Sequence, residues 1–348
     1  MKSQDDMLAF AQEALGLSES VFLEVSALEG RGSDRTFFRL KWNRMNSAIL
    51  IYYDPRRIEN TYYADIATFL CDIGVPVPRL IRHDSDRCVI VMEDLGDTDL
   101  WSFRETPWET QQVLYQKTIS AMHRLHCFPE KNFPSSRVKL MESFGVDLYR
   151  WEQDYFTDHF VRGICGIELE PSFKDELEAE LSSLAERLSG TRRSLVHRDL
   201  QSQNVMIRDG EPFLIDFQGM RFGSPFYDLG SLLCDPYVEF SNNERDQLLS
   251  YYYRLVSPTS GTLSKGEGLK WDLDWEAFRD DFWIASVQRL MQALGAYGFL
   301  GGKKGLKAYL EHIPAGLTRL QLAAGHVRFL PRLQEICRKC QKILGGKR

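Results

Sequence analysis

Apolar and polar positions recur along this chain with two periods, and the changes of period mark out its elements. Gln4 to Leu15 places Met7, Leu8, Ala11 and Leu15 at helical spacing and stops at Gly16, which predicts a short lead-in helix. Val21 to Leu28, Thr36 to Leu40, Ser47 to Tyr53 and Cys88 to Met92 read as strands. Among them, Thr61 to Ile73 has the pattern of an amphipathic helix ended by Gly74, and Val75-Pro76-Val77-Pro78 leaves it extended. Helical spacing dominates afterwards, over Gln111 to Leu125, Leu177 to Leu188, Asp281 to Leu294 (broken by Gly295 to Gly302) and Gly325 to Leu344. Lys131 to Pro134 and Ile164 to Pro171 read as loops, and Trp271 to Trp275 as a helix start. Ser257 to Gly268, rich in Ser, Gly and Thr, reads as a surface loop. Three short apolar runs stand apart: Ser194 to Val196, Val205 to Ile207 and Phe213 to Ile215, the last two joined by a tight turn at Asp209-Gly210.

Those three runs bracket the chemistry. His197-Arg198-Asp199-Leu200-Gln201-Ser202-Gln203-Asn204 has the H-R-D-x-x-x-x-N spacing of a phosphoryl-transfer catalytic loop, and Ile215-Asp216-Phe217 follows as its metal-binding pair. Asp199 is placed to orient an acceptor hydroxyl and take its proton. Asn204 and Asp216 offer the hard oxygens that Mg2+ prefers when it bridges nucleotide phosphates. Beyond Asp216 the chain runs through Gln218-Gly219 and Gly223-Ser224-Pro225 directly to Tyr227-Asp228-Leu229-Gly230. That leaves no room for the long activation segment of a protein kinase, and Gln201 replaces the Lys common in its catalytic loop. The acceptor is therefore expected to be a small molecule. Upstream, Gly30, Gly32 and Ser33 form a turn between strands, where small residues let backbone N–H groups approach phosphate. Ile51 stands where a phosphate-pairing Lys is expected. Strand alternation puts Arg35, Phe37 and Arg39 on one face, and Arg35 and Arg39 are the candidate replacements, with Arg39 slightly favoured because Arg35 has solvation as an alternative.

H-R-D-L-Q-S-Q-N, I-D-F-Q-G and S-P-x-Y-D-L-G-S-L-L resemble the aminoglycoside phosphotransferase family of kinase-like small-molecule kinases. Within it the chain is most similar to the bacterial anomeric kinases of N-acetylmuramate and N-acetylglucosamine, over a stretch from Ala27 to Leu317. The resemblance implies a two-lobed, protein-kinase-like α+β fold. An N-terminal lobe with an antiparallel sheet would cover 1–92, a hinge 93–97, and a larger, mostly helical lobe 98–348. It implies ATP and Mg2+ as cofactors, with backbone groups at Glu93 and Leu95 meeting adenine. It assigns His197 and Asp228, and by extension Asp235, to bracing the catalytic loop. Gln218, Gln288 and Arg289, lying near aromatics such as Trp283, become candidate acceptor contacts alongside Asp199. An apolar residue at Ile51 suits this branch too. The implied reaction phosphorylates the anomeric hydroxyl of an N-acetylated amino sugar in cell-wall recycling. Aminoglycoside, choline or other amino-alcohol acceptors stay open, as does a nucleotide-binding pseudokinase scaffold, against which intact Asp199, Asn204 and Asp216 argue.

Composition narrows the surroundings. In 348 residues, 43 Lys and Arg face 49 Asp and Glu, a formal charge of −6 that lacks the basic footprint of a nucleic-acid binder. Met1 to Phe10 carries acids rather than a signal-peptide pattern, and no apolar run approaches the roughly 20 residues of a membrane span. Seven scattered cysteines, an odd number, suit reduced thiols in a cytoplasm. Cys337-Arg338-Lys339-Cys340 lacks a second pair and reads as part of a packed helix whose basic face is solvated. His123 and His126, one helical turn apart without further ligands nearby, read as packing residues rather than a metal pair.

Overall fold

Alternation along the N-terminal strands builds a sheet with two different apolar faces. The computed structural model describes residues 4–18, 20–28, 35–43, 46–257 and 273–346. Gly30, Gly32 and Ser33, residues 258–268 and Trp271 lie outside them. Helix α1 (Gln4–Ala14) leads into strands β1 (Glu24–Leu28), β2 (Thr36–Trp42) and β3 (Asn46–Tyr52); α2 (Ile58–Asp72), β4 (Leu80–Asp84) and β5 (Val89–Glu93) follow. The strands form one antiparallel sheet in the order β1-β2-β3-β5-β4. Leu40, Ala48, Leu50, Val89 and Val91 pack one face against Phe10 and Ala11 of α1. Their neighbours Ile51, Ile90 and Met92 point the other way and join Tyr63 and Ile66 of α2 in the main core. Strand β4 was not foreseen. It lies at the sheet edge, carries polar Arg82, His83 and Asp84, and has a register shift between Leu80 and Arg82, so its alternation is short and broken.

The second lobe begins with α3 (Trp108–His126), α4 (Val146–Phe156) and α5 (Pro171–Ser189). Short strands β6 (Ser194–Val196), β7 (Val205–Arg208), β8 (Glu211–Leu214) and β9 (Arg221–Gly223) carry the catalytic segments. Asp209 and Gly210 both adopt positive φ (53° and 74°), as a two-residue hairpin turn between β7 and β8 requires. The hairpin is tied to the first lobe's exit by the Leu214 N–H bond to Pro76 O (2.8 Å) and the Ile207 bond to Thr98 O (2.8 Å).

Helices α6 (Phe226–Leu233), α7 (Asn242–Val256), α8 (Trp275–Gly298), α9 (Ile313–His326) and α10 (Pro331–Gly346) complete the lobe. Two expectations are corrected here. Helix α8 starts at a capping Asp274 and continues through Gly295 to Gly298, so those glycines do not end it. They let neighbouring chain approach: a Cβ on Gly295 would lie 2.8 Å from Tyr155 Cδ1, and one on Gly298 only 2.3 Å from His159 O. The single C-terminal helix expected over Gly325 to Leu344 is two helices. Pro331 cannot continue a preceding helix and instead opens α10. Cys337 and Cys340 are fully buried there, burial pushing the Cys337 thiol up to about 12. Among the described residues, no helix is long and apolar enough to cross a membrane.

Gly298→Ala is expected to cost about 1–3 kcal/mol through overpacking against the His159 backbone. Denaturant unfolding should show a lower midpoint with an unchanged slope. A wild-type midpoint would mean the helices separate without penalty.

Candidate functional site

The catalytic loop leaves β6 at Val196 and is held from beneath by one carboxylate. Asp228, in the first turn of α6 and fully buried, accepts the N–H groups of His197 (2.7 Å) and Arg198 (2.8 Å). His126 Nε2 lies 3.1 Å from the same carboxylate, and its Nδ1 lies 2.7 Å from the Tyr252 hydroxyl. His126 is thus a buttress, while His123 Nε2 sits 3.1 Å from Cys127 Sγ. His197 donates Nε2–H to Ile215 O (2.9 Å), joining the catalytic loop to the strand that precedes Asp216. Farther along, Asp235 accepts Ser202 N–H (2.7 Å) and Oγ–H (2.6 Å) and Tyr237 N–H (2.9 Å).

Asp199 emerges from this frame part-exposed, with Arg289 of α8 on its Oδ1 at 2.5 Å. Arg289 is itself fixed by Ser231 Oγ (3.1 Å) and Gln292 Oε1 (2.6 Å). Burial works against its charge, but Asp199 beside it prevails and raises its pKa. Asn204 donates Nδ2–H to Asp199 O (2.8 Å), and Ile215 N–H returns to Asn204 O (3.0 Å). The carbonyl end of the Asn204 amide is thereby the end left for a cation.

Asp216 takes a left-handed conformation (φ 65°), which Asp tolerates better than most residues. Its Oδ1 receives the Arg35 guanidinium and Gln218 Nε2–H (3.1 Å), while Gln218 Oε1 accepts from Arg35 (3.1 Å). Burial opposes ionisation of Asp216, yet Arg35 and these hydrogen bonds hold its pKa below the ordinary value. Arg35 also lies over the rings of Phe37 (5.3 Å) and Tyr63 (5.8 Å). Tyr63 stacks on Phe217 with centroids 4.6 Å apart. Ile51 belongs to the same buried apolar cluster as both rings. An apolar residue at that strand position is therefore buried in the main core.

The preference for Arg39 is corrected. Phe37, not Arg39, stands opposite Ile51. The Arg39 guanidinium is committed to Asp94 (2.7 Å), Asp97 (2.7 Å) and Gly96 O (3.1 Å). Gln288 also departs from its expected acceptor contact. It is fully buried, with its amide on Gln153 (2.9 Å), Tyr149 O (3.0 Å) and Glu152 (3.1 Å). Gln218 has both ends of its amide engaged at the Arg35–Asp216 pair. Glu93 ends β5 with its carboxylate on Arg208 (2.7 Å), and Leu95 is buried in the connection between lobes.

Mg2+ usually takes one or two protein carboxylate or amide oxygens and completes its shell with phosphates and water. Asn204 and Asp216, one bond apart through Ile215, fit that sparse donor set. Among the described residues no cluster of three or more His, Cys, Asp or Glu forms an all-protein metal cage.

Residues 24–262 match the Phosphotransferase enzyme family. The chain belongs to that family. It is a phosphotransferase acting on a hydroxyl acceptor. The N-acetylmuramate/N-acetylglucosamine kinase of Neisseria meningitidis serogroup B is 25% identical over 82% of this chain and 81% of its own. That of Pseudomonas putida is 23% identical over 90% and 88%. Solved structures share the fold: a choline/ethanolamine kinase family protein from Mesorhizobium loti (TM-score 0.59, 15% identity, 97% and 99% coverage) is one. A streptomycin–ATP complex of the phosphotransferase APH(2")-IIa is another (TM-score 0.59, 15% identity, 87% and 92%).

Several residues around this phosphotransferase site escaped the sequence reading. Glu152, buried on α4, takes the Tyr227 hydroxyl on both oxygens (3.0 and 3.1 Å). The available signal was an acid within the stripe of α4 that also carries buried Tyr149, Gln153 and Phe156. Arg221 and Arg198 carry no motif-independent signal, since arginine on a short strand or loop is usually solvated.

Asp228→Ala strands the His197 and Arg198 N–H groups, at about 1–3 kcal/mol each. Thermal unfolding should occur earlier, and turnover should fall at least tenfold even at temperatures where the variant is folded. Full turnover in a folded variant would show that the loop keeps its shape without the carboxylate.

Proposed function

We propose that this phosphotransferase transfers the γ-phosphoryl group of ATP to the anomeric hydroxyl of an N-acetylated amino sugar, giving a sugar 1-phosphate. The observation that carries the reading is the part-exposed Asp199, fixed by Arg289 and linked through Asn204 and Ile215 to Asp216. The names of the relatives supply the acceptor class. Asp199 accepts the hydroxyl proton, and an anomeric hydroxyl, more acidic than an ordinary alcohol, asks little of it. Arg289 keeps the carboxylate aimed. Asn204 and Asp216 hold Mg2+, which neutralises phosphate charge when bound. Arg35 supplies the positive charge that Ile51 does not, and Gln218 keeps Arg35 and Asp216 in register. Glu93 and Leu95 contribute backbone to the adenine side, and the motif assigns phosphate contacts to Gly30, Gly32 and Ser33, which lie outside the described residues. Residues 1–92, 93–97 and 98–348 serve as nucleotide lobe, hinge and acceptor lobe, in a cytoplasmic setting.

Phosphorus NMR of products from a panel of amino sugars, aminoglycosides and choline tests the acceptor. A sugar 1-phosphate is expected; phosphate on a primary hydroxyl, or turnover with aminoglycoside or choline alone, would refute the proposal. Asp199→Asn should lower turnover by about two to four orders of magnitude while calorimetry still shows nucleotide binding. Near-normal turnover would remove Asp199 from its role. Arg35→Ala should raise the KM for ATP about tenfold, the order of one lost charge-assisted contact. Arg39→Ala should stay within about twofold of wild type in the same assay, and the reverse ranking would return the role to Arg39.

A further inference from the structure

Arg198 sits in a conformation that an arginine has to be held in. Its φ is 79°, in the left-handed region that side chains with a Cβ enter at a cost of about 1–2 kcal/mol. Glycine would occupy the same place without that cost. The loop nevertheless holds arginine there, through the Asp228 bond to its N–H (2.8 Å). Its side chain runs along Gly219, where a Cβ would lie 3.6 Å from Arg198 Cδ, and its Nε is buried without a hydrogen-bond partner. Strain of this kind persists where the side chain is needed.

The charges around it do not balance. Arg289 is matched by Asp199. Arg198 and buried Arg221 share one buried carboxylate, Glu152, whose oxygens are taken by the neutral Tyr227 hydroxyl and Gln288 amide. Burial opposes the Arg198 charge, but Tyr227, Glu152 and, to a lesser degree, Asp199 raise its pKa. Asp199 is already paired with Arg289, so three guanidiniums draw on these two carboxylates. Glu59 adds the smallest of the acidic contributions felt at Arg221. Burial raises the Glu152 pKa and weakens it further as a counter-charge. Arg221 has its pKa lowered, by burial first and then by the nearness of Arg198, so the two guanidiniums repel. Arg198 also lies close enough to Tyr155 to bias its hydroxyl electrostatically. Exposed Trp151 stacks on Tyr155 with centroids 5.2 Å apart, an apolar ring surface next to the surplus charge.

We infer that Arg198, backed by Arg221, is a specificity residue that receives a carboxylate carried by the acceptor sugar, beside the hydroxyl presented to Asp199. The inference rests on the amino-sugar reading above. One added negative charge closes the local account, satisfies the buried Nε, and places the sugar ring against the Tyr155–Trp151 surface. The transferring phosphoryl group is the competing anion, and it is common to every acceptor. An acceptor's carboxylate is not.

The test compares kcat/KM for N-acetylmuramate and for its primary amide, which keeps the bulk and loses the charge. Wild type should favour the acid by about tenfold or more, the order of a charge-assisted contact. Arg198→Gly, whose backbone suits φ 79°, should collapse that ratio to near one, and Arg198→Lys should restore part of it. A wild-type ratio near one overturns the inference without any variant, should Arg198→Gly fail to fold. An undiminished ratio in folded Arg198→Gly overturns it too, and equal losses with acid and amide would assign Arg198 to the phosphoryl group. If wild type phosphorylates neither these sugars nor N-acetylglucosamine, the amino-sugar reading itself falls, taking this inference with it; turnover without charge preference sinks the inference alone.

Discussion

The site depends on a single buried carboxylate doing the work of several hydrogen-bond partners. Asp228 gathers two backbone N–H groups from the catalytic loop and an imidazole from α3, with no solvent reaching it. A buried acceptor so placed keeps its hydrogen bonds only if its partners are fixed, and they are fixed by packing. Gly230 lets α6 lie against α8 so closely that a Cβ there would stand 2.9 Å from Ser286 Cα. His126 is set by Tyr252 of α7. Four helices of the second lobe thus converge on the segment that carries Asp199, and the loop's left-handed residue is tolerated because its N–H is bound.

On that frame, two arginine–aspartate pairs join pieces of chain far apart in sequence. Arg289 meets Asp199 from α8, and Arg35 meets Asp216 from the first lobe. A guanidinium thus accompanies each carboxylate assigned to the chemistry, and at Asp216, where burial opposes ionisation, Arg35 helps hold the pKa below the ordinary value. Both arginines are themselves pinned by neutral groups, Ser231 and Gln292 for one and Gln218 for the other. Position, rather than acidity alone, is what the protein supplies, as phosphoryl transfer requires.

The fold class and the catalytic segments were legible because they are local. H-R-D-x-x-x-x-N, the hairpin at Asp209-Gly210 and the Asp216-Phe217 pair are written within about twenty residues, as spacing and turn chemistry alone record them. Motif spacing put Ile51 where a lysine is expected, but strand alternation could not rank Arg35 against Arg39, because that depends on which acids the hinge brings to β2. Glycines were read as breaks where they are close approaches: Gly295 and Gly298 lie inside α8, and only the neighbouring α4 segment explains them. Gln288 looked like a sugar contact from its neighbours in sequence, yet a helix as buried as α8 turns most of its circumference inward. Arg198 and Arg221 were passed over for the same reason, since their meaning lies in Glu152, a residue from another helix.

The burial of Ile51 and the stack of Tyr63 on Phe217 bear on control. In protein kinases the helix equivalent to α2 is positioned by a lysine–glutamate pair, and such a pair can be broken and re-formed by a modification that competes for its charges. Here Ile51 is apolar and buried in the main core, and Tyr63 of α2 stacks on Phe217. Moving α2 would expose apolar surface and break the Tyr63–Phe217 stack instead of exchanging one ion pair for another. A competing charge therefore finds no lysine at Ile51 to draw away.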